Sequence, residues 1–452
     1  MAWRSGKSGS NLRCQSVISY IPTLNFAPRS PGTVTRDQDH FFSVGEPSGD
    51  QHAARLIRQL ANPGGLAMRN DERIICRGFG GPSMLAAGCR VDLDLTRHAV
   101  VGIVEVLPKL REFFRFADQA EDIFRSGSVD SVVLVDFPGF NWHIAKRAKK
   151  YGIPVHYYCP PQLWAWGAWR VRKMKRSVDH VVAVLPVEQQ FFNQHQIPVS
   201  LVGHPFFDAV AEQKLDTAVM RRFHSQQNSG ERIVAVLPGS RDHEVRSNFP
   251  IQLETIRRLD RELSESGESV RFAVAAYRDK QCLWCREQLS EEDKNLPIDF
   301  YVDCTSEIIE TAHCAMMVSG SVSLELLARE TPAAVIYRVG RILHAVGKRV
   351  LKIDSVTLPN LMAGRKLFPE FISVGDPAPA VDFLTETMRA MLQDSFYYAK
   401  IRRDLQNLRN EHASPGASQR AAELLRSKLF GDLETLPEKN SLGMQTQMRD
   451  AA

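Results

Sequence analysis

The chain lacks the features that mark several protein classes. No apolar run approaches the roughly 18 residues that cross a bilayer, so the sequence predicts no transmembrane helix. The 8 cysteines are scattered and most fall within or beside apolar runs, which indicates reduced, buried thiols in a cytosolic protein. The net charge of +5 is small for 452 residues, so it permits an anionic partner without requiring nucleic acid. What remains is an ordinary soluble composition, 44% apolar and 24% charged.

One cysteine pair has the spacing of metal ligands. Cys282 and Cys285 form a CxxC pattern, and Cys304 and His313 could complete a zinc site with them. The second paired motif of the usual zinc sites is missing. We therefore favour structural thiols and predict no metal site.

Short apolar strands alternate with helical patterns along the whole chain. In the first half, strands are predicted at 40–45, 74–81, 129–135, 155–159, 180–185 and 199–202, with helices between them. This alternation is typical of a doubly wound α/β domain. It restarts at Arg232, so we expect a second domain of the same class.

Two strands of the first half end in loops that carry acids. Strand 40–45 runs into Gly45-Glu-Pro-Ser-Gly-Asp50, before a helix predicted over 51–60. Glu46 and Asp50 are either caps of that helix or ligands of sugar hydroxyls. Strand 129–135 is uninterrupted and apolar, and it delivers Asp136 at its carboxyl end, where open α/β sheets bind ligands. Asp136 is therefore either a general base or a helix cap.

Two loops of the second half have the composition of anion-binding turns. Strand 232–237 is broken by Pro238-Gly-Ser-Arg241, and the next helix is predicted to begin near residue 247. Strand 315–318 leads into Ser319-Gly-Ser321 and a helix that carries Glu325. Backbone N–H groups in such turns hold phosphates, and Arg241 adds a planar cation. If the two strands are neighbours, the loops form a nucleotide clamp; otherwise each is an ordinary capped turn.

Two aromatic stretches lie beside basic residues. Phe113 and Phe114 belong to a helical pattern that is either a core helix or a surface resting on anionic lipid. Trp164 and Trp166 follow strand 155–159 and precede a basic run over 170–176. That run matches no nucleic-acid motif, so an acidic sugar-lipid surface is the preferred partner.

Seven motifs together resemble the lipid-A-disaccharide synthase family in order and spacing, over about residues 40–430. Each motif is modest alone, but seven in the same order are highly specific. The motifs are Gly45-Glu-Pro-Ser-Gly-Asp50, Val101-Gly-Ile-Val-Glu-Val-Leu107, Asp136-x-Pro-x-Phe-Asn141, Cys159-Pro-x-x-x-Trp-Ala-Trp166, Leu237-Pro-Gly-Ser-Arg241, Ser319-Gly-x-x-x-x-Glu325 and Leu358-Pro-Asn-Leu-x-Ala-Gly-Arg365.

The resemblance implies an α/β GT-B fold, with two Rossmann-like domains facing a cleft and the C-terminal helices returning to the first domain. With the sequence pattern, it divides the chain into an N-terminal extension (1–38), an acceptor and membrane domain (39–205), a UDP-sugar domain (206–375), the returning helices (376–430) and a tail (431–452). It implies an inverting hexosyltransferase that moves 2,3-diacylglucosamine from UDP to 2,3-diacylglucosamine 1-phosphate. The products are the β-1,6-linked disaccharide of lipid A and UDP, in lipopolysaccharide biosynthesis.

The resemblance also implies partners and site residues. The partners are the two acylated sugars and the inner face of the cytoplasmic membrane, to which a cytoplasmic, peripheral enzyme would bind; a homodimer is compatible with the sequence. No cofactor, metal or nucleic acid is expected. By match, Asp136 is the base, with Glu46 as a second catalytic candidate. The substrate-binding candidates are Ser48, Asp50, Asn141, Arg241, Ser319, Gly320, Ser321, Glu325 and Asn360, and the lipid-contact candidates are Phe113, Phe114, Trp164 and Trp166.

Two positions depart from the family pattern, and rival functions stay open. Gly139 stands where many relatives carry a second acid, and Lys366 stands where an acid is common. Another GT-B enzyme, such as a UDP-sugar epimerase or a peptidoglycan glycosyltransferase, would share the nucleotide clamp but not the Trp-Ala-Trp and Leu-Pro-Asn motifs. A non-catalytic scaffold at the membrane surface would share the fold and release no UDP.

Overall fold

Two parallel sheets form the framework of the chain. The computed structural model describes residues 36–61, 72–98, 110–228, 230–341 and 355–430. Among these residues the first sheet has seven strands in the order β3-β2-β1-β4-β5-β6-β7, and the second has six in the order β10-β9-β8-β11-β12-β13. The strand pairings are parallel in both sheets. The predicted α/β architecture of two Rossmann-like domains is confirmed.

The first domain contains seven strands and seven helices within the described residues. Its strands are β1 (Arg36–Val44), β2 (Glu72–Gly80), β3 (Arg90–Asp94), β4 (Ser131–Val135), β5 (Val155–Tyr158), β6 (His180–Ala183) and β7 (Val199–Leu201). Its helices are α1 (Pro47–Ala61), α2 (Pro82–Ala86), α3 (Leu110–Arg125), α4 (Pro138–Lys150), α5 (Leu163–Trp166), α6 (Val171–Ser177) and α7 (Pro186–Gln194). Because β1 begins at Arg36, residues 36–38 belong to the first sheet. The predicted extension of residues 1–38 therefore ends too late.

The second domain follows two connecting helices, α8 (Phe206–Glu212) and α9 (Thr217–Asn228). Its strands are β8 (Arg232–Leu237), β9 (Val270–Ala276), β10 (Ile298–Val302), β11 (Cys314–Val318), β12 (Ala333–Val339) and β13 (Glu370–Val374). The remaining helices are α10 (Asp242–Glu265), α11 (Asp279–Glu287), α12 (Thr305–Thr311), α13 (Val322–Ala328), α14 (Leu358–Ala363), α15 (Ala378–Gln393), α16 (Ser395–His412) and α17 (Ala417–Phe430).

The central strands are apolar because helices cover both faces of each sheet. Every residue of β4 and of β11 is buried. A strand buried on both faces cannot alternate apolar with polar residues, which is why these strands read as continuous apolar runs. The prediction of a buried parallel strand over 129–135 is confirmed for residues 131–135, and the strand predicted over 315–318 is confirmed as well.

Each sheet reverses its direction of strand addition at one place. In the first sheet this place lies between β1 and β4, and in the second between β8 and β11. At such a reversal the loops after the two strands part to opposite faces of the sheet and leave a crevice. The four loops that the sequence singled out follow these four strands, so both candidate sites lie in a crevice.

The last helix returns to the first domain. Helices α15 and α16 pack on the second domain, whereas α17 packs against α1 and α8. Asp208 of α8 accepts hydrogen bonds from the backbone N–H groups of Gly416, Ala417 and Ser418 at 2.6, 3.1 and 2.8 Å. Of the helices predicted to return to the first domain, α17 contacts that domain. The buried carboxylate of Asp208 caps the first residues of α17.

Candidate functional site

The crevice of the first sheet is lined by a strained turn that presents Asp136. Asp136 and Phe137 follow β4 in the left-handed region, with φ of 46° and 44°. This conformation is unfavourable for residues with a side chain and is held only when the surroundings enforce it. Gly45, at the end of β1, leaves room for the Phe137 ring, since a Cβ there would lie 2.2 Å from a ring carbon. The two loops at the reversal point are therefore fitted to each other.

Hydrogen bonds from Asn141 and Tyr157 hold the turn at Asp136. The Asn141 amide donates a hydrogen bond to the Asp136 carbonyl oxygen at 2.7 Å, and its own oxygen accepts one from the Ser43 hydroxyl at 2.7 Å. The Tyr157 hydroxyl donates to the same Asp136 carbonyl at 2.7 Å. Asn141 is fully buried. The structure thus places Asn141 as a support of the predicted base, and substrate binding by its side chain stays a prediction.

Three charged groups from both domains interact at this crevice. Burial raises the pKa of Asp136 above its ordinary value, and a hydrogen bond with the Phe137 backbone opposes the rise. Burial also raises the pKa of Glu46, the charge of Asp136 adds to the rise, and the charge of Arg241 lowers it. Glu46 therefore lies within electrostatic reach of a first-domain aspartate and a second-domain arginine.

The two other acceptor-side candidates differ in what they offer a ligand. Helix α1 begins at Pro47, not near residue 51 as predicted, so Ser48 and Asp50 lie in its first turn. Ser48 is exposed. Asp50 is buried, and its carboxylate accepts hydrogen bonds from the backbone N–H groups of Gly81, Ser83 and Met84 at 2.9, 2.8 and 3.1 Å. Its carboxylate anchors α2 to α1, and a role in substrate binding stays a prediction.

The crevice of the second sheet opens into a cavity of about 640 Å³. Loop 239–241, which follows β8, and loop 319–321, which follows β11, both line it, as does Glu325 of α13. Because β8 and β11 pair directly, the two loops stand side by side. The size is that of a small-molecule site, which typically encloses about 300–1,000 Å³. The two strands are neighbours, which is the condition that the nucleotide clamp required.

One of the two candidate anion-binding loops binds a carboxylate of its own chain. Glu244 accepts the backbone N–H groups of Ser240 and Arg241 at 3.1 and 3.2 Å, and it pairs with the Arg241 guanidinium at 3.1 Å. These bonds cap α10, which begins at Asp242, so the predicted start near residue 247 was wrong. Pro250 lies inside the helix rather than in its first turn, because Glu244 caps the helix nearly two turns earlier than expected.

The other loop keeps its backbone donors open. Within the part of the chain that the structure describes, the N–H groups of Gly320 and Ser321 donate no hydrogen bond. Ser319 donates its hydroxyl to the Val356 carbonyl at 2.9 Å, which ties the loop to the segment before α14. Glu325 is buried and pairs with Arg329 at 3.0 Å, yet it still lines the cavity. The cavity is therefore lined by backbone N–H groups that an anion could accept hydrogen bonds from.

Asn360 is engaged within the protein. Its amide donates to the Phe368 carbonyl and to Glu370, both at 2.8 Å. Its oxygen accepts the backbone N–H groups of Leu367 and Phe368 at 2.7 and 2.8 Å. The side chain is buried and clamps the turn after α14, so donor binding by Asn360 stays a prediction.

The candidate lipid contacts differ in exposure. Phe113 packs against the rings of Phe116, Phe137 and Phe140, whereas Phe114 is 46% exposed. Trp164 is half-buried, and the side chain of Trp166 lies outside the described residues. Motif 101–107 also lies outside them. Of the two phenylalanines, Phe114 offers the free surface, and lipid contact by any of these residues stays a prediction.

Metal binding and membrane crossing find no support in the described residues. No group of three or more His, Cys, Asp or Glu side chains there is arranged to hold a metal ion, so the zinc alternative at Cys282 and Cys285 has no ligand set. No helix in the described ranges is long and apolar enough to cross a membrane.

Three cavity residues were missed in the sequence. Tyr277 follows β9, and Lys214 lies between α8 and α9; both line the cavity with exposed side chains. Glu244 fills the first loop. The rule that ligands bind at the carboxyl ends of strands could have identified Tyr277. Lys214 lies in the connection between the two domains, and no local sequence pattern indicates that this connection lines the cavity.

Comparison with known proteins agrees with the motifs. The sequence model of the family described as "Lipid-A-disaccharide synthetase" matches residues 40–426. A lipid-A-disaccharide synthase of Trichlorobacter lovleyi is 33% identical over 394 residues, covering 87% of this chain and 98% of the relative. That of Geobacter metallireducens is 31% identical over 386 residues, covering 85% and 96%.

Solved structures resemble the fold at low identity. A putative UDP-N-acetylglucosamine 2-epimerase from Listeria monocytogenes superposes with a TM-score of 0.57 at 10% identity, covering 87% of this chain and 96% of that one. The S. aureus MnaA-UDP co-structure gives 0.54 at 11% identity, covering 87% and 97%. At such identities the likeness supports the two-domain fold alone.

Proposed function

We propose that the chain, which belongs to the lipid-A-disaccharide synthase family, transfers 2,3-diacylglucosamine from UDP to the 6-hydroxyl of 2,3-diacylglucosamine 1-phosphate with inversion at the anomeric carbon. Membership of the family makes it a glycosyltransferase of lipid A disaccharide synthesis. The choice of substrates and the inversion are the proposal. One observation carries it: the charge of Asp136 raises the pKa of Glu46 and the charge of Arg241 lowers it. A candidate base and a candidate anion-binding cavity therefore share one cleft.

Asp136 removes the proton of the acceptor hydroxyl as that oxygen attacks the anomeric carbon. Its raised pKa makes it a better proton acceptor than an ordinary aspartate, and its turn is held by Asn141 and Tyr157. Glu46 and exposed Ser48 line the acceptor side. Gly139 leaves open space where a second acid would stand, so Asp136 acts without a partner on that helix.

The second domain stabilises the departing UDP. The open N–H groups of loop 319–321, together with Arg241 and Lys214, face the diphosphate in the cavity. Arg241 must exchange Glu244 for the diphosphate, and the stronger negative charge of the ligand favours that exchange. Glu325 accepts hydrogen bonds from the ribose, and exposed Tyr277 offers a ring face to the base.

A peripheral contact with the inner face of the membrane brings the enzyme to its acylated substrates. Phe114 and Trp169, 46% and 74% exposed, lie on the first domain. Lys173 there has a lowered pKa, chiefly from burial and then from neighbouring Arg170, Arg176 and Lys146, which marks a dense positive cluster. Exposed aromatics beside clustered bases suit anionic lipid. Sedimentation with anionic and neutral vesicles tests this contact, and light scattering measures the oligomeric state, for which the sequence is compatible with a homodimer.

Incubation with both acylated substrates tests the chemistry. The wild type should yield disaccharide and UDP by mass spectrometry, with a β configuration at the new linkage by NMR. Asp136→Asn should lower turnover by roughly 10²- to 10⁴-fold with unchanged unfolding, as expected for loss of a general base. Asp122→Asn, at an exposed aspartate of the same domain, is the matched control. A wild type that releases no UDP from both substrates would show a scaffold instead of an enzyme.

A further inference from the structure

A buried arginine lies next to the cavity that is proposed to hold UDP. Arg329 directly follows α13, the helix that begins after loop 319–321, and its side chain is 8% exposed. Arg329 is not among the residues that line the cavity, whereas two of its partners, Glu325 and Gln213, do line it. The arginine therefore acts on the cavity only through other side chains.

Three nitrogens of the Arg329 guanidinium donate to three different side chains. Nε donates to Glu325 at 3.0 Å, Nη1 to Glu310 of α12 at 2.5 Å, and Nη2 to Gln213 at 3.1 Å. Gln213 lies in the connection between α8 and α9, and its amide donates to the Ser306 hydroxyl at 2.7 Å. Because the guanidinium is planar and rigid, partners on three segments of the chain fix both its position and its orientation.

The carboxylate of Glu325 has one oxygen bound by the protein and one oxygen open. Oε1 accepts the hydrogen bond from Arg329, whereas Oε2 accepts no hydrogen bond from the residues that the structure describes. Glu325 lies in the first turn of α13, and it lines the cavity although it is largely buried. A carboxylate that is already held by one oxygen binds a ligand hydroxyl with the other at little further cost in side-chain entropy.

We propose that Arg329 is a positioning residue for the nucleotide, which holds the Glu325 carboxylate in the orientation that accepts the ribose hydroxyls of the UDP-sugar. The inference rests on the proposed function, which assigns the ribose to Glu325. Arg329 itself does not contact the nucleotide. Its guanidinium also offsets the negative charge of Glu325 beside a cavity that must accept an anionic diphosphate.

Calorimetric titration with two nucleotides tests this role. UDP has both ribose hydroxyls and its 2′,3′-dideoxy analogue has neither, so the ratio of their dissociation constants isolates the ribose contact from the diphosphate contact. The wild type should bind UDP about 10-fold more tightly than the analogue, as expected for a hydrogen bond to a charged group. Arg329→Met should bind the two nucleotides almost equally, because Glu325 is no longer held.

Two further variants separate positioning from a general structural role. Arg329→Lys keeps a cation and a donor beside Glu325, so it should retain a preference of roughly 3-fold for UDP, and it carries the test if Arg329→Met does not fold. Arg257→Met is the matched control. Arg257 of α10 also pairs with two carboxylates, Asp293 and Glu254, but does not line the cavity, so this variant should lose stability in urea unfolding and keep the wild-type ratio.

The ratio also distinguishes the ways in which the proposal can fail. The positioning role is overturned if the Arg329 variants keep the wild-type ratio, including the case in which they bind both nucleotides more weakly by the same factor. It is overturned as well if the wild type does not prefer UDP to its analogue. A wild type that binds neither nucleotide refutes the proposed function itself.

Discussion

Replacing Asn141 distinguishes a support of the turn at Asp136 from a substrate ligand. Asn141 is fully buried and bonds only to protein atoms within the described residues: the Ser43 hydroxyl and carbonyl, and the carbonyls of Val135 and Asp136. Leucine has a similar volume and no polar atom. Asn141→Leu therefore removes these bonds without opening a large cavity, and it leaves the Ser43 hydroxyl buried without an acceptor.

The expected loss of stability follows from those contacts. An unsatisfied buried hydroxyl costs about 1–3 kcal/mol, and loss of one of the two donors to the Asp136 carbonyl adds about 1 kcal/mol. The total of about 2–4 kcal/mol is a large share of the 5–15 kcal/mol typical of a folded protein. Tyr157→Phe removes only the other donor to that carbonyl, so it should cost about 1 kcal/mol.

Urea unfolding and steady-state kinetics measure both consequences. As the turn loses its supports, kcat should fall in both variants, and more in Asn141→Leu, while KM for each substrate changes little. Asn193→Ala, at an exposed asparagine of α7, should stay within about 0.5 kcal/mol of the wild type. If Asn141→Leu unfolds like the wild type and only its acceptor KM rises, the side chain is a substrate ligand and the argument from its hydrogen bonds is wrong.

Three further outcomes follow from single contacts. Asp208→Ala leaves three backbone N–H groups at the start of α17 without an acceptor, so thermal unfolding should show a loss of about 1–2 kcal/mol or more. Gly45→Ala should destabilise because its Cβ meets the Phe137 ring, and Phe137→Leu in the same chain should restore part of the loss in chemical unfolding. Burial raises the pKa of Asp136 and of Glu46, so activity should be lost on acidification at a higher pH than an ordinary carboxyl would give. A pH–rate profile whose acidic limb lies at the ordinary carboxyl pKa would contradict the role of Asp136.

Local residue patterns were sufficient for the framework. Apolar runs such as 131–135 and 314–318 form strands because burial on both faces leaves no place for polar residues. Glycines and acids after these runs marked the loops that line both crevices. The order of the motifs identified the family, which the match over residues 40–426 confirms.

Local patterns failed where a side chain has a partner distant in sequence. The same polar residue is a ligand or a support depending on what lies opposite it, and Asn141 meets Ser43 across 98 positions. Glu244 shows the limit at short range, because it caps its helix by binding the loop N–H groups that were candidates for holding a phosphate.

By itself, the sequence determined the central strands and most helices, but not β3 and β13, and it determined which family they compose, because those outcomes depend on neighbouring residues and on motif order. The tertiary structure alone decided that Asp50, Asn141 and Asn360 turn their polar atoms inward, and that Asp136 and Arg241 act on the same glutamate. These outcomes depend on the order of strands in two sheets and on the packing of one domain against the other, since only folding brings residues separated by many positions within hydrogen-bonding distance.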